Sequence, residues 1–282
     1  MVVWDFDTRQ VARVYIGHVE TVTGISWARN SRRLLSASLD WHVIMWDVPS
    51  SEPIKKFKFE GPVTSARIHP RNNNQFLACP MMVSPVLVTM GEGSAVDEET
   101  RQPLLPEEEV AVQPGKGKLD QGVIAVFSRK GLQIFLGTPR GRVIVKTTAT
   151  LETEHTMQVS TASAGCGIKA IEFNRTGTSF LVNSVDRILR VYNTEGFVLQ
   201  HKFQDLVERI PWRTCCFADG VGVNDYIIAG SAEEARHKIS VWDRESGRWL
   251  KILEGQCELR NAAHPCRESP PGAGSPAARA FC

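Results

Sequence analysis

The sequence has no apolar run long enough to span a bilayer, so nothing in it points to a helical membrane segment. No G-x-x-x-x-G-K-[ST] is present; Gly115-Lys116-Gly117-Lys118 lacks both the spacing and the hydroxyl of a phosphate loop. H-E-x-x-H, G-x-S-x-G and any Cys/His spacing suited to zinc are also missing. The seven cysteines (Cys79, Cys166, Cys215, Cys216, Cys257, Cys266, Cys282) form no C-x-x-C and no framework spacing. An odd count without a signal peptide suits reduced thiols in an intracellular protein. Cys215 and Cys216 are neighbours on a β-prone run and should face opposite ways, which excludes them as a one-sided pair. An excess of either charge is lacking too. With 33 Lys+Arg against 31 Asp+Glu the net charge is only +2, so only the placement of charge can inform. The chain therefore reads as a non-enzyme with no cofactor, no metal, no membrane segment and no small-molecule substrate.

What is present is a repeat. A Gly-His pair at Gly17-His18 opens one unit and Trp46-Asp47 closes it, with β-prone runs at 22–27, 34–38 and 43–46 between them. The separation of roughly 28 residues suits one WD-repeat unit of about 40–45 residues, the four-stranded blade of a propeller. The chemistry of the unit is coherent. His18 in the entry loop is placed to bond Asp40 in the turn before the last run, Ser36 to bond the other face of the imidazole, and the Trp46 indole N–H to cap the chain; the alternative is that Asp40 is an ordinary turn residue. Such a buried relay holds loop to strands only when every member is paired.

The same pattern recurs along the chain. Val2 to Trp4 and residues 11–16 read as the second half of a blade, and residues 54–59 complete the blade that holds the Gly-His pair. A third blade has runs at 63–69, 75–79 and 85–90, bounded by the strand-breakers Pro80 and Pro85. From residue 91 to 119 acidic residues, Pro and Gly dominate, which reads as a long mobile insertion. Val110 to Val112 is its one strand-like stretch. A fourth blade has runs at 123–127, 132–136 and 143–146, with turns at Arg129-Lys130-Gly131 and Pro139-Arg140-Gly141. A fifth has runs at 168–173, 179–183, 188–192 and 198–203, and Tyr192-Asn193 stand where Trp-Asp would be. A sixth spans runs at 212–217, 226–229, 239–243 and 249–253. Residues 257–282 are rich in Pro, Gly, Ala and Arg and show no alternation. The fold expected is an all-β, WD40-type β-propeller over residues 1–255, with five whole blades and a half blade, not fully closed. Residues 256–282 are expected to be a disordered tail.

Propeller geometry sorts the cations by loop type. Turns between second and third strands, and loops into the next blade, emerge on one face. There the sequence places Arg140 and Arg142, Arg187, Arg209 with Arg213, and Arg236 with Lys238. Turns between first and second strands emerge on the other, with Arg29, Arg32, Arg33, Arg71, Arg129, Lys130 and Arg175. An arc of Arg over adjoining blades is the better candidate for phosphate contact, though both sets also read as solvated rims.

Several stretches carry a more specific resemblance: Ile168-Lys169-Ala170-Ile171-Glu172-Phe173, Asp186-Arg187-Ile188-Leu189-Arg190-Val191-Tyr192, and Leu206-Val207-Glu208-Arg209-Ile210-Pro211-Trp212 with Cys215-Cys216-Phe217. His69-Pro70-Arg71, Cys79-Pro80-Met81 and Ala229-Gly230-Ser231-Ala232 add to them. Together they resemble the retinoblastoma-binding WD-repeat subunit of COMPASS-type complexes, which methylate lysine four of histone H3. The resemblance covers about residues 1–255. It implies a nuclear, non-catalytic scaffold whose partners are the SET-domain and SPRY-domain subunits and nucleosomal DNA, with DNA contact through Arg187 and Arg209, helped by Arg140, Arg213 and Arg236. Members of that family carry further residues before the first strand and, after the propeller, an acidic segment that binds the SPRY and SET subunits. Residues 257–282 differ from that segment, so the chain reads as truncated at both ends. The alternative is a generic WD-repeat peptide-binding adaptor without nucleic-acid contact.

Overall fold

The computed structural model describes residues 1–91, 99–106, 122–159, 167–204, 212–219, 225–231 and 237–255. Every regular element among them is a β-strand. The β-branched and aromatic runs seen in the sequence suit a pleated, half-buried surface, and short turns pair each run with the next antiparallel. A two-stranded sheet comes first, β1 (Val2–Trp4) with β2 (Val11–Val14). Five four-stranded meanders follow. They are β3 (Val22–Trp27), β4 (Arg33–Ser38), β5 (His42–Asp47) and β6 (Pro53–Lys58); then β7 (Val63–Ile68), β8 (Gln75–Pro80), β9 (Val86–Met90) and β10 (Glu99–Pro103). Next come β11 (Ile124–Phe127), β12 (Gln133–Gly137), β13 (Arg142–Thr147) and β14 (Thr153–Gln158). The fourth is β15 (Ile168–Phe173), β16 (Ser179–Ser184), β17 (Leu189–Asn193) and β18 (Leu199–Phe203), and the last β19 (Trp212–Asp219), β20 (Asp225–Ser231), β21 (His237–Asp243) and β22 (Trp249–Gly255).

The first strand of each meander lies innermost, against the first strand of the next: β3 on β7, β7 on β11, β11 on β15 and β15 on β19. Polar side chains stitch neighbouring inner strands, Thr23 Oγ1 donating to the Val63 carbonyl at 2.7 Å and the Ile68 N–H to Ser26 Oγ at 3.0 Å. The two-residue side-chain period then sends alternate residues to opposite seams. Leu34, Ile44 and Trp46 face the two-stranded sheet and meet Tyr15, while Leu35, Met45 and Phe57 face the next sheet and meet Ala66, Phe76 and Val88. Leu77 and Leu87 face onward to Ala125, Ile134 and Leu136. Phe135 and Val145 pack on Ile171 and Phe180, and Leu181 and Val191 on Cys215 and Trp242. The core is thus five apolar seams, one between each pair of consecutive sheets. Each fully buried Leu, Ile or Phe contributes about 1.5–3 kcal/mol. Among the described residues the sheets do not close into a ring: Val2, Trp4, Val11 and Val14 on the first sheet and Trp249, Leu250 and Leu253 on the last are exposed.

Three details differ from the sequence reading. Residues 91–119 are not wholly a mobile insertion, because β10 lies within them and completes the third meander by pairing with β9. Its alternating charges conceal it. Glu99 meets Lys55 at 3.0 Å and Arg101 at 2.6 Å, while Arg101 donates to the Lys58 carbonyl at 2.7 Å and covers the Phe59 ring. Leu104 and Leu105 then turn into the core. The rest of that stretch, Val110 to Val112 included, lies outside the described residues. Similarly, β14 supplies a fourth strand that its polar sequence did not announce, and Pro80 ends β8 rather than standing beyond it. The expected tail, 256–282, also lies outside the described residues.

One inter-sheet tie depends on a glycine. In the β11–β12 turn Gly131 has φ +78°, and its carbonyl accepts the Nε2–H of the buried His69 at 2.9 Å. His69 Nδ1 accepts the N–H groups of Arg71 and Asn72 at 3.1 and 2.8 Å, so the ring is neutral and fully used. Burial pushes the His69 pKa below its ordinary value; the Gly131 bond opposes this and the nearby Arg71 charge adds to it. A Cβ on Gly131 would lie 2.4 Å from that ring. Because the folded pKa is depressed, His69 contributes stability that is complete above its ordinary value of 6.5 and lost as pH falls through the lower folded value. Urea midpoints of the wild-type chain should accordingly fall below pH 6.5. Gly131→Ala should lose at least about 1–2 kcal/mol at pH 7.5 and show a shallower pH dependence. Equal midpoints for the two proteins would refute the tie.

Candidate interaction surfaces

The loop before β3, the turn between β4 and β5 and two strand positions bring His18, Ser36, Asp40 and Trp46 together. The Trp46 Nε1–H donates to Ser36 Oγ at 2.8 Å, and Ser36 Oγ lies 2.7 Å from His18 Nε2. His18 Nδ1 lies 2.8 Å from Asp40 Oδ2. One proton arrangement satisfies every contact: indole N–H to hydroxyl, hydroxyl to Nε2, Nδ1–H to carboxylate. The His18 and Asp40 side chains are 5% and 3% exposed, so an unpaired member would have no water to turn to. Burial alone would raise the Asp40 pKa, but bonds from His18 and from the Val19 and His42 N–H groups hold it below the ordinary carboxylate range.

The same turn recurs with different chemistry between β16 and β17. Here Asp186 accepts from Arg190 Nη2 at 2.6 Å, from Ser184 Oγ at 2.5 Å and from the Ile188 N–H at 3.2 Å. Burial works against its charge, yet the Arg190 and Ser184 bonds and the Arg190 charge keep its pKa low. Arg190 pairs across with Val182, the register position that Ile44 holds opposite Ser36, so a buried ion pair replaces the histidine relay. The sequence reading missed this pair, because Asp-x-x-x-Arg resembles surface charge; the buried residues flanking Arg190 in β17 were the available signal.

In three such turns the residue after the Asp40 position is left-handed: Trp41 at φ +69°, Gly141 at φ +76° and Arg187 at φ +68°. Only one of the three is glycine, the residue for which that conformation carries no Cβ penalty. The Arg187 carbonyl accepts the Trp212 Nε1–H at 3.0 Å, tying this turn to the start of β19. Arg187 and Arg140 are both exposed on turns of one face, and the Arg140 carbonyl anchors its own turn by accepting the Gln158 Nε2–H at 3.2 Å. Arg213 is exposed as well, but it lies inside β19 rather than in the loop before it, and Lys238 is buried within β21. Arg209 and Arg236 lie outside the described residues. On the opposite face Arg29, Arg32, Arg71, Arg129, Lys130 and Arg175 are exposed, whereas Arg33 donates to Asn74 Oδ1 at 2.7 Å and the Asn73 carbonyl at 3.3 Å. Among the described residues no three His, Cys, Asp or Glu side chains converge on a metal site. Burial pushes the Cys79 and Cys215 thiols up, away from the reactive thiolate.

Comparison with known proteins agrees with this geometry. The model of the WD domain, G-beta repeat, matches residues 9–47. The Drosophila melanogaster protein named Retinoblastoma-binding protein 5 homolog is 35% identical over 280 residues, covering 95% of this chain and 53% of that protein. Over most of its length the chain is similar to proteins named for retinoblastoma binding and for Swd1. The Schizosaccharomyces pombe protein named Set1 complex component swd1 is 29% identical over 262 residues, covering 92% of this chain and 63% of that protein. The crystal structure of the Myceliophteria thermophila Cps50 (Swd1) β-propeller domain superposes with a TM-score of 0.77 at 29% identity, over 90% of this chain and 80% of that one. The fold is therefore a WD40 β-propeller, and the chain spans about half the length of the first two relatives of known name, 53% and 50%.

The relay makes a thermodynamic prediction. Asp40→Ala leaves the Nδ1–H of His18 and the Val19 N–H without an acceptor, and should cost about 1–3 kcal/mol in urea unfolding. Ser36→Ala should cost a similar amount. Because both belong to one chain of bonds, the double variant should lose less than the sum, by about 0.5 kcal/mol or more. Strict additivity would show that the four residues are neighbours without being a relay.

Proposed function

We propose that this chain is a non-catalytic WD-repeat scaffold of a nuclear histone H3 lysine-four methyltransferase complex. In that role it binds other subunits, the SPRY-domain and SET-domain ones among them, and presents one propeller face to nucleosomal DNA. The observation that carries the reading is homology along nearly the whole chain to proteins named for retinoblastoma binding and for the Set1 complex. The chemistry of the interior supports a scaffold: His18 and His69 spend both ring nitrogens on structural bonds. The arginines of the second-to-third-strand turns support the DNA contact. A guanidinium stays charged and offers a planar fork to phosphate oxygens, and phosphate contacts fix position without reading sequence. Arg209 and Arg236, from the same face in the sequence reading, belong to this proposal too.

The test is nucleosome binding by the chain alone as salt is varied. Arg140→Glu with Arg187→Glu should weaken binding on any DNA sequence and flatten the slope of log K against log salt by about 0.9 for each phosphate no longer neutralised. Arg32→Glu, on the other face, should change little. An equal weakening by Arg32→Glu would place the DNA on that other face. No effect from either would remove the nucleosome from the reading and leave the peptide adaptor.

The left-handed turn allows a sharper version. At φ +68° an arginine costs about 1 kcal/mol relative to glycine, so Arg187→Gly should stabilise the fold by about that much while weakening nucleosome binding. A variant that is more stable and binds equally well would show that Arg187 does not touch DNA.

A further inference from the structure

The face opposite the proposed DNA contact holds a cavity of about 700 Å³, opening at the axis where the first strands end. Four consecutive sheets build it. Trp27 closes β3 with Arg29 just beyond, Arg67 lies near the end of β7 with Arg71 just beyond, Lys130 comes from the β11–β12 turn, and Arg175 follows β15. With Arg129, six cationic side chains line the cavity against the single carboxylate of Glu172. Arg67 Nη2 reaches Glu172 Oε1 at 3.0 Å, from β7 across to β15, passing over the intervening sheet. Both partners are about two-fifths exposed, so that pair is weak and exchangeable. Arg29, Arg71 and Lys130 meet no carboxylate among the described residues.

Cations of one sign in a concave protein wall focus the field into the opening. An arginine fork binds a carboxylate through two parallel hydrogen bonds, as it does a phosphate, and the concave wall admits anionic groups carried on a narrow chain. Trp27, 48% exposed on the same wall, adds an apolar platform. The volume lies within the range of about 300–1,000 Å³ typical of ligand pockets, enough for a few side chains and a short run of backbone. A nucleic-acid duplex, with its phosphates on a broad outer surface, could reach only the rim.

We propose that this axial mouth binds an acidic, extended peptide segment of a partner protein, its carboxylates on Arg29, Arg71 and Lys130 and an apolar side chain against Trp27. The site is independent of the nucleosome contact and stands or falls without it.

The experiment is fluorescence polarisation with the full chain and a labelled ten-residue probe of glutamates interrupted by one leucine. The control probe replaces every glutamate with glutamine. The acidic probe should bind, weaken as salt rises, and lose at least tenfold in affinity with Arg71→Glu/Lys130→Glu. The neutral Arg71→Gln/Lys130→Gln variant should lose less, and it serves the test if the reversed pair fails to fold. Arg140→Glu, on the other face, should bind the probe as the wild type does. Equal binding of the glutamine probe, or unchanged affinity in both double variants, would overturn the proposal. So would displacement of the bound probe by a short DNA duplex that the Arg140→Glu variant still binds, since the mouth would then be a phosphate site.

Discussion

No sheet in this chain can cover its own two faces. Each four-stranded meander carries apolar residues on both sides, as Leu34 with Ile44 on one and Leu35 with Met45 on the other show, and each side is buried only by the adjacent sheet. The energy of the fold therefore lies in seams, not in blades. A strand of average length contributes few core side chains to a seam, so the loss of one large residue there removes a sizeable share of what joins two sheets. This also explains the exposed apolar rows at the two end sheets: Trp4 and Val2 at one, Trp249 and Leu250 at the other, have no adjacent sheet within the described residues. Such rows are the usual mark of an association surface.

Apart from Asn73 Oδ1, Thr148 Oγ1 and Asn183 Oδ1, which are buried without a partner, polar groups of the described interior sit in satisfied sets, and the same backbone turn accepts two quite different sets. Between β4 and β5 the buried carboxylate of Asp40 is satisfied by an imidazole and two backbone N–H groups. Between β16 and β17 the equivalent Asp186 is satisfied by a guanidinium, a hydroxyl and one N–H. In both of these turns donors satisfy the buried carboxylate, and both carboxyls have depressed pKa values despite burial. The identity of the donor is free. That freedom is why repeats can diverge past recognition while the turn persists, and why a Trp-Asp dipeptide is a poor guide to where blades begin and end.

The legibility of the sequence follows the same division. Second and third strands, such as β4, β8, β12 and β16, are buried on both faces, so they read as continuous apolar runs and were located closely. Outer strands are edges, and edges are kept polar and charged to discourage pairing with other chains. Glu99-Thr100-Arg101-Gln102-Pro103 consequently read as part of an insertion and Thr153-Glu154-His155-Thr156-Met157-Gln158 was assigned no strand, although each pairs with the strand before it. Of the interior constellations, the four-residue relay was legible because its members sit at motif spacing. The His69–Gly131 tie was not, since its partners are 62 residues apart and one of them is a backbone carbonyl.

Charge placement obeys turn geometry in a way that the overall balance of +2 conceals. The turns from first to second strand converge on the axis, because the first strands are the innermost ones, so their cations gather around one concavity. The turns from second to third strand lie farther out, so Arg140 and Arg187 are spread along an arc instead of facing one another. A concavity concentrates potential on a small acidic group, whereas an arc matches charges distributed along a curved polyanion. Two surfaces that both carry arginine are therefore suited to differently shaped ligands by strand order. A propeller built this way has a mouth and a rim of like charge that need not compete for the same ligand.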